Sequence, residues 1–293
     1  MAAFSLIYKR VILFVSIVLF GFSVSAQKDS LSIKKCSLVG ISNLTVLTSG
    51  YIGLNQLWYK DYPQSSLHWF NDANEWMQID KMGHAYSAYW LSDVFESQFK
   101  FCGFTSKKSA VFGTSLGFIS MSMIELLDAQ SAQWGASASD LLANGMGSLL
   151  FLSQALIFKE QIARLKFSYH ATPYANLNPQ LLGSTNIERL IKDYNGQSYW
   201  LSVNLSKSLN LEKLPPYISI SFGNGADGMF RANQSDNSLA SRRWMLSLDW
   251  DLTQIKTKKK WLKSLLSLIN VVKLPFPTLV YQQNKFDFYY LYF

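Results

Sequence analysis

The chain has 293 residues, of which 49% are hydrophobic and only 16% charged. That is enough apolar material for one large core or two small ones, and the shortage of charge points to a membrane or a large interface, since soluble domains are nearer a quarter charged. Two cysteines without a CxxC pair and three widely spaced histidines, His68, His84 and His170, argue against a zinc site.

The formal net charge of +8 is unevenly placed. Residues 27–158 carry 8 basic against 10 acidic side chains, and residues 159–293 carry 17 against 9. An acidic-to-neutral half is thus joined to a basic one.

The first 26 residues read as a signal peptide. Lys9 and Arg10 form a basic start, residues 11–24 a short apolar run, and Ser23-Val24-Ser25-Ala26 a small-residue cleavage site. An uncleaved anchor is the alternative, but the run is short for a span of about 20 residues. No cysteine follows at lipobox spacing, so this site predicts no amino-terminal lipid. Export makes nucleic acid an unsuitable partner for the basic half and favours a membrane surface or an anionic envelope component. It also permits a disulfide between Cys36 and Cys102, whose proximity the sequence leaves open.

Residues 36–59 carry no charge but are diluted by Ser, Thr, Asn and Gly, which predicts a buried helix rather than a lipid-facing one. Residues 60–79, with Tyr62, Trp69, Phe70 and Trp76, predict a packed loop. Helices are predicted over 80–99, 107–128 and 137–158, the last opened by Ser137 as N-cap with Asp140 three residues on. The uncharged stretches of about 15–24 residues straddle the length a membrane span needs. A membrane-associated or soluble bundle is favoured, and a spanning one stays open.

The second half changes period. Residues 199–205, 218–222 and 244–250 alternate as half-buried strands do, and 286–293 is an aromatic strand-like end. Residues 223–228 (Gly-Asn-Gly-Ala-Asp-Gly) predict a turn-rich loop, not a dinucleotide fingerprint. Residues 256–272 predict a basic amphipathic helix ended by Pro275, with Lys258, Lys259, Lys260, Trp261 and Lys263 as membrane-surface candidates; the alternative is an ordinary surface helix. Four to six readable strands fall short of the eight or so that a monomeric outer-membrane barrel needs. The expected fold class is α+β, with domains at 1–26 (signal peptide), 27–165 (four-helix bundle) and 166–293 (smaller antiparallel β-rich region with one amphipathic helix).

One polar constellation carries possible chemistry. Asp80 and His84 are four apart on one helix face, with Lys81 beside them. Glu125 and Asp128 end the next helix, where the macrodipole disfavours carboxylates. Asp140 and Asn144 open the last helix, one turn before Gly147. In an antiparallel bundle these ends meet. The set suits a hard cation such as Mg²⁺ or Ca²⁺, with Glu125, Asp128 and Asp140 as metal candidates, or an acid–base pair built on His84. The structural alternative is a set of caps and register-fixing hydrogen bonds.

The ordered residues Trp69-Phe70, Trp76, 80–86 (Asp-Lys-Met-Gly-His-Ala-Tyr), 124–128 (Ile-Glu-Leu-Leu-Asp), 134–137 (Trp-Gly-Ala-Ser), Asp140 and Asn144-Gly145 with Gly147 resemble the YfiM-like family of predicted periplasmic lipoproteins, a domain of unknown function. Asp80-Lys81 with His84, and Asp140 with Asn144 and Gly147, are also similar to VanZ-like membrane proteins. The resemblance covers roughly 65–160 and implies an envelope location, periplasm or membrane of a Gram-negative type, and a four-helix core. It implies no reaction. No Gly-x-Ser-x-Gly elbow, nucleophilic cysteine context or Walker loop is present. The expectation is a membrane-associated scaffold or binding protein. The alternative is a small envelope enzyme or cation/ligand site acting on a lipid or cell-wall component.

Overall fold

The computed structural model describes residues 31–60, 62–211, 213–233 and 239–292; the signal peptide expected at 1–26 lies outside them. The class is α+β: long helices precede an antiparallel sheet. The chain divides into two compact units, residues 1–70 with 91–136, and residues 71–90 with 137–293.

The first unit holds α1 (Ile33–Leu54), the second half of α2 (Ile79–Cys102) and α3 (Ser106–Asp128). Ser32 caps α1 and Thr105 caps α3 through their side-chain oxygens. α3 presses on α2 through glycine. A Cβ at Gly113 would sit 2.4 Å from the Glu96 nitrogen, and one at Gly117 would sit 2.8 Å from the Ser92 nitrogen. α1 is tied down by polar bonds: Tyr51 Oη donates to the Ser120 carbonyl at 2.7 Å, and Asn43 donates to Gln98 at 2.8 Å. The expectation of a buried helix at 36–59 is corrected here. Only Asn43 and Tyr51 of α1 are buried, while Ile33, Leu38, Ile41 and Val46 are exposed. The scattered polar residues do not mark an all-round buried helix; two of them form the packed seam and leave the apolar face outside. Cys36 and Cys102 are free thiols; burial and the adjacent Cys36 push the Cys102 thiol up to about 12.

The second unit holds the first half of α2, α4 (Ala138–Ile157) and a six-stranded meander: β1 (Ala163–Tyr169), β2 (Gln197–Asn204), β3 (Ile218–Asp227), β4 (Ser241–Trp250), β5 (Phe276–Gln282) and β6 (Lys285–Tyr292), in that spatial order and antiparallel throughout. α5 (Lys260–Ile269) links β4 to β5. The chain after α5 returns to the free edge of β1, where the Lys273 N–H donates to the Phe167 carbonyl at 2.8 Å. Residues 223–227 continue β3 instead of forming the expected loop; Gly223 lies under the Trp200 ring, which a Cβ would approach to 2.6 Å. Glycine is there for close approach and not for a turn. Only Gly228 turns, at φ +79 against the Leu239 carbonyl.

Beneath the sheet many of the buried side chains are polar, packed around a small apolar cluster of Trp200, Met245 and Val280. Lys166 pairs with Asp249 at 2.8 Å and donates to the Trp250 carbonyl and Asn270. Lys273 Nζ lies 3.9 Å from the same carboxylate and 5.2 Å from the Trp200 ring centroid, and burial pushes its amine down to about 8. An apolar cluster of Trp76, Ile79, Leu182, Tyr194 and Met229 lies beside α2.

Candidate functional site

The N-terminal halves of α2 and α4 approach each other closely because Gly147 has no side chain: a Cβ there would lie 1.9 Å from the Ala85 carbonyl oxygen. That contact sets the polar residues of both helix starts side by side. Lys81 is the hub. Its ammonium has three N–H donors and meets three carboxylates: Asp72 Oδ2 at 2.6 Å, Asp80 Oδ2 at 3.0 Å and Asp140 Oδ1 at 2.8 Å. Ser137 caps α4 by accepting the Asp140 N–H at 3.1 Å. Ser137 and Ser139 then donate to Asp72 Oδ1 at 2.5 and 2.8 Å. The Asp140 carboxylate turns to Lys81.

His84 stands one turn after Asp80. Its Nδ1–H donates to Asn144 Oδ1 at 3.1 Å, and Nε2 faces Asp80 Oδ1 and Asp140 Oδ2, each at 3.9 Å. Those two separations are ionic and not hydrogen-bonded. Tyr194 donates to Asp80 Oδ1 at 2.8 Å. Asn144 is fully buried, and its Nδ2 has no hydrogen-bond partner among the described residues.

The electrostatics follow from burial against pairing. Burial works against the Lys81 ammonium, but Asp80, Asp140 and Asp72 outweigh it and hold it protonated well above the ordinary lysine range. Burial raises Asp72, and bonds from Lys81 and Ser137 more than reverse that, leaving it low. Burial raises Asp80 too, and His84, Lys81 and Tyr194 bring it below the usual range. Asp140 goes the other way: burial and the Asp80 charge push it up to about 7. Two carboxylates on either side of one imidazole therefore hold opposite protonation tendencies at neutral pH, the pattern of an acid–base couple.

One donor atom from each of Asp80, His84 and Asp140 lies within 4.8 Å of the others, a grouping able to hold a cation. Lys81 already supplies positive charge there, and an added cation has to compete with it. Five of the seven sequence candidates, Asp80, Lys81, His84, Asp140 and Asn144, are thus brought together. Glu125 and Asp128 belong to the first unit, where Asp128 accepts from Tyr59 at 2.8 Å and Glu125 is buried. Sequence reasoning missed Asp72 and Tyr194, which lie in irregular segments and carry no periodic signal. No spacing cue sets Asp72 apart, since Glu75 lies nearer in sequence to the Asp80-Lys81 pair.

Residues 68–154, less than a third of the chain, match the sequence profile of a family described as predicted periplasmic lipoprotein (DUF2279). The matched segment contains every member of the cluster except Tyr194. No curated protein and no solved structure matches the chain. The family description supports an exported location in the periplasm or envelope.

Proposed function

We propose that this envelope protein works at a membrane surface as a scaffold or binding protein. The observation that carries the reading is α5. Trp261, Leu265, Leu268 and Ile269 are exposed on it, with Lys258, Lys259 and Lys263 exposed around them. Apolar side chains left in water beside a lysine run suit the boundary between headgroups and acyl chains, where each lysine near an anionic surface contributes about 1 kcal/mol. Three helical stretches, Ile33–Tyr59, Ser106–Asp128 and Ala138–Ile157, are also long and apolar enough to cross a membrane by length and composition. The motifs shared with YfiM-like and VanZ-like proteins support the same reading, since both groups are envelope proteins.

Vesicle flotation of the full chain tests it. Binding to vesicles rich in phosphatidylglycerol is expected, weakened by 0.5 M salt and at least tenfold weaker for the Lys258→Gln, Lys259→Gln, Lys263→Gln variant. Equal binding to neutral and anionic vesicles, unchanged in the variant, overturns it.

A second reading rests on Asp140 and His84. With one carboxyl near neutrality beside an imidazole and a second, ionised carboxylate, the cluster has the groups for proton transfer on a lipid or cell-wall component. Its cation version takes Mg²⁺ or Ca²⁺ at Asp80, His84 and Asp140. A rise in melting temperature with either ion, lost in Asp80→Asn, supports the cation version; no rise with either ion removes it.

A further inference from the structure

We infer that the outward face of strands β3 to β6, beyond the part that α2 covers through Tyr86 on Phe167 and Tyr199, is buried in the hydrocarbon of one leaflet of an anionic bilayer. The inference deepens the membrane reading by naming a second contact and its chemistry.

The alternation along the strands is inverted relative to a soluble sheet. In a soluble antiparallel sheet the apolar side faces the core and the polar side faces water. Here Phe222, Leu246, Leu248, Leu279, Phe286 and Phe288 point outward and are 39–68% exposed. The intervening residues Lys166, Ser221, Arg243, Ser247, Asp249 and Thr278 are buried on the other side, around a small apolar cluster of Trp200, Met245 and Val280. Register confirms that the outward residues form one continuous surface: Phe222 pairs with Leu246, Leu246 with Leu279, and Leu279 with Phe288. Arg242, at one end of β4, is held by Asn224 and the Met77 carbonyl. Apolar-out, polar-in alternation is the pattern of strands whose outer solvent is lipid.

The face carries a shallow apolar groove of about 340 Å³ lined by Phe222, Trp244, Leu246, Leu279, Tyr281 and Phe286. Its apolar lining suits hydrocarbon chains.

Charge fixes which lipid and which end. α5, with its exposed lysines, leaves the sheet after Trp250 and returns before Phe276. At that same end Tyr217 stacks on Trp250 at 5.4 Å, and Trp250 meets Phe276 at 5.8 Å. Aromatic rings and lysines together mark a headgroup boundary. From Trp250 to Trp244 the strand advances roughly 20 Å, which a tilt of about 45° reduces to about 14 Å of depth, the hydrocarbon of one leaflet in a core some 30 Å thick. The sheet therefore docks from one side with α5 at headgroup level.

The test uses the full chain on phosphatidylglycerol vesicles whose acyl chains carry bromine at mid-depth, a contact quencher of tryptophan. Trp244 is half exposed on the face. The fraction of emission quenched in the wild type is expected to fall in Trp244→Phe, and Leu246→Arg with Leu279→Arg is expected to bind at least tenfold more weakly with an unchanged melting temperature. If the wild type floats but Trp244→Phe leaves quenching unchanged, the sheet is not in hydrocarbon and the inference fails while the α5 reading stands. If the double arginine variant loses its fold, the Trp244→Phe comparison still decides. If the wild type floats on no vesicle, both fail. If the chain self-associates without lipid and Trp244 is not quenched, a second copy covers the face and the inference is overturned.

Discussion

Replacing Lys81 by Met removes the cation around which Asp72, Asp80 and Asp140 are arranged at 2.6, 3.0 and 2.8 Å. Lys81 and Asp140 side chains are only 11% and 5% exposed, so water does little to screen the carboxylates left facing one another. Removing one partner of a buried ion pair destabilises by about 3–5 kcal/mol. The loss depends on pH in a fixed direction. Asp140 is raised from 3.8 to about 7 in the folded state, so its protonated form stabilises the fold at low pH, and that contribution is lost as pH rises through about 7. Ionising it in place costs on the order of 4 kcal/mol at 1.36 kcal/mol per pH unit, an upper bound because the cluster shares its protons. Without Lys81 the Asp140 carboxyl rises further. Asp72 and Asp80, lowered in the wild type, contribute stability above the ordinary carboxylate range that is lost as pH falls through their depressed values. Losing Lys81 removes much of that contribution. Urea unfolding at pH 5 and pH 8 reads the difference. The variant is expected to lose about 3–5 kcal/mol at pH 8 and at least 1 kcal/mol less at pH 5. A loss below 1 kcal/mol at pH 8, or equal losses at both pH values, refutes the description of the cluster as a lysine-centred ion network.

Other predictions come from packing and charge elsewhere. Gly147→Ala forces α4 off Ala85 and is expected to cost at least about 1–3 kcal/mol, whereas Gly40→Ala, with nothing within 4 Å, gains about 0.5–1 kcal/mol from helix propensity; paired thermal melts check the opposite signs. Asp249→Asn leaves Lys166 and Lys273 without their shared carboxylate. A loss of about 3–5 kcal/mol is expected near pH 6, shrinking toward pH 9 as Lys273, already lowered to about 8, gives up its proton. The same loss at both pH values contradicts it. Oxidation is expected to join the adjacent Cys36 and Cys102 thiols, shifting mobility on a non-reducing gel and raising stability by up to about 4 kcal/mol in the chain-entropy account; mobility unaltered by a thiol oxidant is the contrary result.

The long helices and four of the strands were legible because they are periodic over many residues. β1 was not singled out, although Ala163, Leu165, Phe167 and Tyr169 alternate with Arg164, Lys166 and Ser168. Its lysine looks like a solvent residue and is among the most buried side chains of the molecule. β5 was hidden by Pro277. Period gave each strand its alternation but not which face was inside. That choice depends on the solvent, and the face richer in polar residues, with Trp200, Met245 and Val280 among them, proved to be the buried one. In the site, helix spacing placed Asp80 with His84 and Asp140 with Asn144. Asp72 and Tyr194 joined through tertiary contacts that no local pattern encodes. Glu125 and Asp128 shared the chemistry but belong to the other unit.

Membrane association is tested most directly by fractionating cells that make the full chain, then washing the membranes at alkaline pH in carbonate. The protein is expected in the washed membrane pellet, and a variant with Trp261→Ser, Leu265→Ser and Leu268→Ser is expected to be released. Recovery of the wild type in the osmotic-shock fluid, with none on the membranes, contradicts the account.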